Sequence, residues 1–430
     1  MPKFRLHNFG CRASQADGAA IESLLERQGY VQTETDGSAE FVILNTCTVT
    51  NTADAEVRQV VRRVHRDNPE ARIVVTGCYA QRSPEEIAQL PGVAMVVGNS
   101  HKTQIAELLS APYHGQVHVG DIFGSTEFLS SPVEDASGDR SRPNLKIQDG
   151  CGNRCSFCII PYVRGRSRSA SVQQVIDQVR SLGVRYPEVV LTGINLGRWG
   201  REPGFDMRLA DLLRILLNET DIRRLRLSSV EPMDWSDDLL QLVADSPRIA
   251  KHIHIPLQSG SDTVLRRMHR RYRPTHYEHR VRLARELMPD AAIGADVMTG
   301  FPGETDVEFE QTRAFIEALP FTYLHVFPYS ERPGTPAAER RDQVPESVRK
   351  CRGRVLKDLG MTKNAAFRLR FVGKSLSAVT LENNQALTSN FLQVELSQRR
   401  PARLLTDVQI GATSETGLRE HSPLQVLTPN

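Results

Sequence analysis

Apolar residues near the amino terminus fall in short unbroken runs, separated by stretches in which they recur every three to four positions. PKFRLHNFG, EFVILNT, ARIVVTG and VAMVVG read as strands, and ADGAAIESLLERQG, ADAEVRQVVRRVHRDN and SPEEIAQL read as helices. Alternation of this kind over residues 1–112 implies a parallel sheet covered by helices. Residues 113–140 break the pattern: GDIFGSTEFLSSPVEDASGDRSRP is rich in Gly, Ser, Asp and Pro, has no sustained period, and reads as a linker. Over 141–366 alternation returns in EVVLTGIN, RLRLSSVEP, HIHIPLQ, AIGADVMTG and TYLHVFPY, separated by helical runs such as SVQQVIDQVRSLG and LADLLRILLNET, which is a partial or complete β/α barrel pattern. Residues 367–430 change again, to SLSAVTLE, ALTSNFLQVELS, ARLLTDVQIG and LREHSPLQVL, short strands that suit a small closed antiparallel barrel. The expected class is therefore α/β, with a parallel-sheet domain, a β/α barrel and a small β-barrel.

A chain of 430 residues with 40% hydrophobic and 24% charged residues is an ordinary globular composition with room for two to three cores. The start MPKFRLHNFGC has no apolar core of a secretory signal, and no later run reaches about 18 apolar residues, so the expectation is a cytoplasmic protein with no membrane contact. A net charge of +3 is too small to argue for a nucleic-acid partner, which leaves that question to the local placement of arginines. Seven cysteines is an odd number. In a reducing compartment they are better read as metal ligands or reactive thiols than as disulfides.

Cys151, Cys155 and Cys158 stand as C-x3-C-x2-C in QDGCGNRCSFCIIPYVRGRSRS, with no nearby fourth ligand. Structural zinc would want a closed shell of four. Three thiolates can instead hold three irons of a 4Fe-4S cluster and leave the fourth open to a small molecule. Cys11, Cys47 and Cys78 each end one of the first three strands, in FGCRAS, LNTCTVT and VTGCYAQ. Right-handed crossovers carry the carboxyl ends of parallel strands to one sheet edge, so these thiols should converge as a second triplet. Cys351, in the helical ESVRKCRGRV, reads as a lone cysteine without function.

NTCTVTN, VTGCYAQ, GCGNRCSFCIIPYVRGRSRS, LTGINLG, IHIPLQSGS, GADVMTGFPGET and FPYSERPGTPA resemble the successive motifs of the radical-SAM methylthiotransferases, in order over nearly the whole chain. The resemblance implies an N-terminal cluster domain, a radical-SAM barrel and a C-terminal TRAM domain. It also implies S-adenosylmethionine and two 4Fe-4S clusters as cofactors. One cluster would be held by Cys151, Cys155 and Cys158 and chelate S-adenosylmethionine at its open iron. Its electron would release a 5′-deoxyadenosyl radical that takes hydrogen from an unactivated carbon. The other, on Cys11, Cys47 and Cys78, would carry the sulfur. Thr48-Val49-Thr50-Asn51 and Tyr79-Ala80-Gln81 resemble the branch that modifies threonylcarbamoyladenosine at position 37 of tRNA. Arg12-Ala13-Ser14-Gln15, after Cys11, departs from that branch's usual Lys-Val-Asn-Gln. The alternatives are methylthiolation of isopentenyladenosine in tRNA, methylthiolation of a ribosomal protein, and a non-catalytic metal-stabilised RNA-binding protein; an open three-cysteine site argues against the last.

Beyond the cluster ligands no catalytic residue is assigned. Gly193, Gln258 and Asp296, at strand ends facing one mouth, are the candidates for the S-adenosylmethionine pocket. Arg164, Arg166 and Arg168, then RRMHRRYR with Arg270 and Arg271, mark the expected RNA side, with a solvated basic face as the alternative. Arg399, Arg400 and Arg403 extend that expectation to the small barrel. Arg164 or Arg168 is also the expected partner of the carboxylate on a threonylcarbamoyl group. Partners implied by the resemblance are tRNA, an electron donor such as flavodoxin or ferredoxin, and a sulfur source.

Overall fold

The computed structural model describes residues 1–110, 116–125, 128–129 and 141–422. The expected strand LREHSPLQVL lies partly outside them, as does much of the expected linker.

The first domain contains β1 (Lys3–Asn8), α1 (Arg12–Arg27), β2 (Val31–Gln32), β3 (Phe41–Thr46), α2 (Asn51–Asp67), β4 (Arg72–Gly77), α3 (Cys78–Arg82), α4 (Pro84–Ala88), β5 (Val93–Gly98), α5 (Ile105–Ser110) and β6 (Val117–His118). The strands form one all-parallel sheet, in the order β2-β1-β3-β4-β5-β6. All six residues of β3 are buried, because Ile43 packs with α1 and α5 on one face while Val42 and Leu44 pack with α2 on the other. A strand covered on both faces must be apolar throughout, which is why it was legible as a run. β6 lies inside the stretch read as linker; a two-residue strand has no period to detect.

The second domain contains β7 (Asn144–Asp149), α6 (Ile160–Arg164), β8 (Arg168–Ser169), α7 (Val172–Gly183), β9 (Glu188–Gly193), α8 (Leu209–Glu219), β10 (Arg224–Leu227), α9 (Asp237–Asp245), β11 (His252–His254), α10 (Asp262–Arg267), α11 (Pro274–Leu287), β12 (Ala292–Thr299), α12 (Asp306–Ala318), β13 (Tyr323–Pro328) and α13 (Glu346–Leu369). Two sheets, β10-β9-β7-β8 and β11-β12-β13, are joined by a parallel bridge from Leu225 to Ile249. Six strands thus run parallel in a partial barrel. α1 packs on β7, with Asn144 Nδ2 donating to Gln15 Oε1 at 3.2 Å.

Buried charges make that joint. Asp17 on α1 pairs with Lys102 at 3.0 Å, with Arg164 at 2.9 Å and with Lys146, while Asp149 pairs with Lys146 and Arg164, each at 2.9 Å. Burial opposes both carboxylates, but the surrounding cations prevail and hold them well below the usual range.

The third part contains β14 (Ser375–Leu381), β15 (Gln385–Thr388), β16 (Gln393–Glu395), β17 (Leu405–Thr413) and β18 (Leu418–Glu420), closed as β14-β15-β16-β18-β17. The barrel is closed as expected; β16 and β18 nevertheless pair in parallel, so it is not antiparallel throughout. Arg226 on β10 fixes it to the second domain, donating to the carbonyls of Thr388 at 3.0 Å and Ser389 at 3.1 Å.

Candidate functional site

β1, β3 and β4 are neighbours in the sheet and end at one edge, and their next turns carry Cys11, Cys47 and Cys78. The turns are tight. Gly10 has φ +96° and a Cβ there would lie 2.5 Å from Cys47 Cβ; Gly77 has φ +99° and its Cβ would meet the Thr46 carbonyl at 2.5 Å. Only glycine fits either place. Arg164 spans the triplet: its Nε donates to Cys78 Sγ at 3.2 Å and its Nη2 to Ser14 Oγ at 3.3 Å, and that hydroxyl is 3.7 Å from Cys11 Sγ. Asn99 Nδ2 adds a second donor to Cys78 Sγ at 3.6 Å. Arg332, from the loop after β13, donates to the Thr48 carbonyl and to Asp54, each at 2.6 Å, and so holds the segment that follows Cys47.

The other three cysteines lie on the loop between β7 and α6. Asn153 N–H donates to Cys151 Sγ at 3.4 Å, Asn195 Nδ2 lies 3.9 Å from the same sulfur, and Arg270 Nη1 donates to Cys155 Sγ at 3.3 Å. Burial pushes the Cys158 thiol up to about 12, reinforced by Cys155. Burial likewise pushes Cys47 up to about 12, reinforced by Cys78 and Cys11. Crowded, desolvated sulfurs of this kind become thiolates together only when a polycation neutralises them, while the N–H donors aimed at them suit charged sulfur. Both triplets therefore fit an iron-sulfur cluster. Cys351 is exposed on α13, apart from both.

A cavity of about 360 Å³ reaches from Cys11 and Arg12 to Gly193, Asp296 and His325, with Phe391 of the small barrel in its wall. Gly193 and Asp296 are thus brought together. A side chain at 193 would collide with Gln148, whose Oε1 accepts the Asn195 N–H at 2.7 Å. Burial opposes ionisation of Asp296, but the His254 ring 3.3 Å away and a hydrogen bond with His325 Nδ1 at 3.2 Å hold it well below the usual carboxylate range. Gln258 does not line this cavity; it adopts φ +64°, takes the Asp296 carbonyl with its N–H at 2.8 Å, and buries Oε1 without a partner. Asn195 Oδ1 is buried and unpartnered too. The orphaned acceptor of Asn195, whose amide nitrogen lies 3.9 Å from Cys151 Sγ, suits a polar cofactor bearing an ammonium group.

The arginines need correction. Arg164 is enclosed, its donors spent on Asp17, Asp149, Ser14 and Cys78. It therefore meets neither phosphate nor a substrate carboxylate. Arg270 is likewise enclosed between Cys155 and Glu231. Arg168 donates to the Ser125 carbonyl at 3.2 Å and approaches Asp149 at 3.9 Å, off the cavity. Arg166, Arg271 and Arg399 are exposed, Arg400 pairs with Glu420, and Arg403 lies over the Tyr186 ring at 4.7 Å. Arginine density measures charge along the chain, not which side chains a buried sulfur or carboxylate claims. His254, His325, Asn195 and Arg332 were missed, since each acts through a neighbour remote in sequence.

A partial parallel barrel carrying an open C-x3-C-x2-C defines a radical-SAM enzyme. Residues 3–98 match the Uncharacterized protein family UPF0004 and residues 145–316 match the Radical SAM superfamily. The chain is 37% identical over 397 residues to the threonylcarbamoyladenosine tRNA methylthiotransferase MtaB of Aquifex aeolicus, covering 91% of this chain and 96% of that protein. It is 41% identical to the protein of the same name from Bacillus subtilis, covering 81% of this chain and 78% of the relative. The solved radical S-adenosylmethionine methyltransferase TsrM from Kitasatospora setae shares the fold, with a TM-score of 0.56 and 17% identity over 79% of this chain and 77% of that one. The chain belongs to the radical-SAM methylthiotransferases, on the MtaB-like branch. Its cofactors are accordingly S-adenosylmethionine and 4Fe-4S clusters.

Proposed function

We propose that the protein converts N6-threonylcarbamoyladenosine of tRNA to its 2-methylthio derivative. Cys151, Cys155 and Cys158 hold the cluster that binds S-adenosylmethionine, and Cys11, Cys47 and Cys78 hold the cluster that presents sulfur. When bound, these groups supply the one-electron chemistry that removes hydrogen from carbon 2 of adenine and installs a methylthio group. The protein's part is enclosure and placement. Gly193, Asn195 and Gln258 border the cofactor side, and Cys11 borders the sulfur side. Asp296, kept ionised between His254 and His325, orients polar groups between them. The observation that carries this reading is the single cavity bounded by Cys11 at one end and by Gly193 and Asp296 at the other. Adenine carbon 2 is hidden in a stacked helix, so the nucleotide must be splayed out to enter it.

Exposed Arg271 and Arg399 serve as phosphate contacts in this reading. Among the described residues no helix is long and apolar enough to cross a membrane. A cytoplasmic enzyme served by a flavodoxin- or ferredoxin-type donor and an external sulfur source completes the reading. Anaerobic turnover of an anticodon stem-loop deuterated at adenine carbon 2 tests it. Deuterium should pass into 5′-deoxyadenosine as product forms; product without deuterium transfer would put the hydrogen abstraction at another atom.

A further inference from the structure

Arg12, which stands where the sequence departs from its branch, begins α1 directly after Cys11 and lines the cavity. It is half-buried, and among the described residues it has no hydrogen bond and no ion pair. The carboxylates that could have served it are committed elsewhere. Glu188 is taken by Arg226 at 2.7 Å, Arg142 at 3.0 Å and Arg224 at 3.5 Å. Asp296 is taken by His254 at 3.3 Å and His325 at 3.2 Å. The nearby aromatic groups are also occupied with one another: His252 Nε2 and Tyr323 Oη are 2.7 Å apart, and the His252 ring stacks on Phe391 at 4.2 Å. Arg12 therefore presents to the cavity a half-buried guanidinium that makes no hydrogen bond or ion pair among the described residues, beside a flat aromatic wall.

We propose that Arg12 binds the carboxylate of the threonylcarbamoyl substituent, and so selects the substrate base. This rests on the substrate reading above. A planar fork of donors matches a carboxylate in two parallel hydrogen bonds, and a partly enclosed site strengthens them. A neutral substituent would leave the guanidinium desolvated and unpaired, which is how a polar pocket rejects an analogue that lacks the matching group. Arg12 is placed to do this from the same turn that carries a sulfur-side cysteine, so binding of the substituent and placement of carbon 2 are set by one element.

The test uses anaerobically reconstituted enzyme and two anticodon stem-loops, one bearing N6-threonylcarbamoyladenosine and one its neutral carboxamide counterpart, with kcat/KM and Kd measured for each. Wild-type enzyme should prefer the carboxylate by about 30- to 100-fold. Arg12→Leu should reduce that preference to within about twofold, and Arg12→Lys should keep part of it, because a point charge replaces the fork. Equal use of both stem-loops by the wild-type enzyme would overturn the proposal, and so would an Arg12→Leu variant with the wild-type ratio. A wild-type enzyme that binds and converts neither would instead overturn the substrate reading, and this proposal with it.

Discussion

Replacing Cys151, Cys155 and Cys158 together by Ala should lower the iron of the reconstituted protein from about eight to about four per chain and abolish reductive cleavage of S-adenosylmethionine. The two triplets are held by separate structures, one by three strand ends of the parallel sheet and one by the loop between β7 and α6. Loss of one should therefore leave the other assembled. Cys47→Ala should show the complementary defect, with cleavage retained and methylthiolation lost, because Cys47 belongs to the sulfur side. Iron analysis together with 5′-deoxyadenosine release checks both variants. A triple variant that is folded yet free of iron, or equal loss of cleavage in the two variants, would remove the division of labour.

Glu188→Gln should destabilise the protein by about 3–5 kcal/mol near neutral pH, because it leaves a cluster of buried guanidinium groups without their carboxylate. Glu188 and Arg226 are both fully buried, and Arg224 is 4% exposed. Burial opposes ionisation of Glu188, yet Arg226 first, then Arg142 and Arg224, bring its pKa down to about 2. A depressed pKa stabilises the fold above the unfolded value of about 4.3, and that contribution is lost as pH falls through about 2. The gap between wild type and variant should thus be flat from pH 7 to 5 and shrink in more acid solution. Arg226 also ties Thr388 and Ser389 of the small β-barrel to β10 of the second domain, so the variant should release the small β-barrel to proteolysis first. Thermal midpoints across pH, with limited proteolysis, give the readout; midpoints within about 1 °C of wild type at pH 7 would mean that the cluster carries no such energy.

Much of the fold was legible because buried parallel strands leave uninterrupted apolar runs, as in FVILNT and RIVVTG. β7 was not. Its sequence NLKIQD buries Lys146, Gln148 and Asp149, which are satisfied by Asp17, Arg164 and backbone carbonyls rather than by water. A strand at a charged joint between domains has the polarity of a loop. The cysteine triplets were legible for the opposite reason: their spacing and strand-end positions are local facts that topology turns into proximity. The arginines show the limit. Arg164 and Arg270 looked like phosphate ligands in the chain, and the fold turns both inward onto sulfur and carboxylate. Arg12 carried no motif signal, and only the cavity shows that it faces a space with no carboxylate left for it.

Mass spectrometry of tRNA nucleosides from cells with and without this protein tests the central claim most directly. Deletion should remove 2-methylthio-N6-threonylcarbamoyladenosine while its unthiolated precursor accumulates, and re-expression should restore it. Loss of the methylthio group from isopentenyladenosine, or unchanged tRNA alongside an altered ribosomal protein, would contradict the claim.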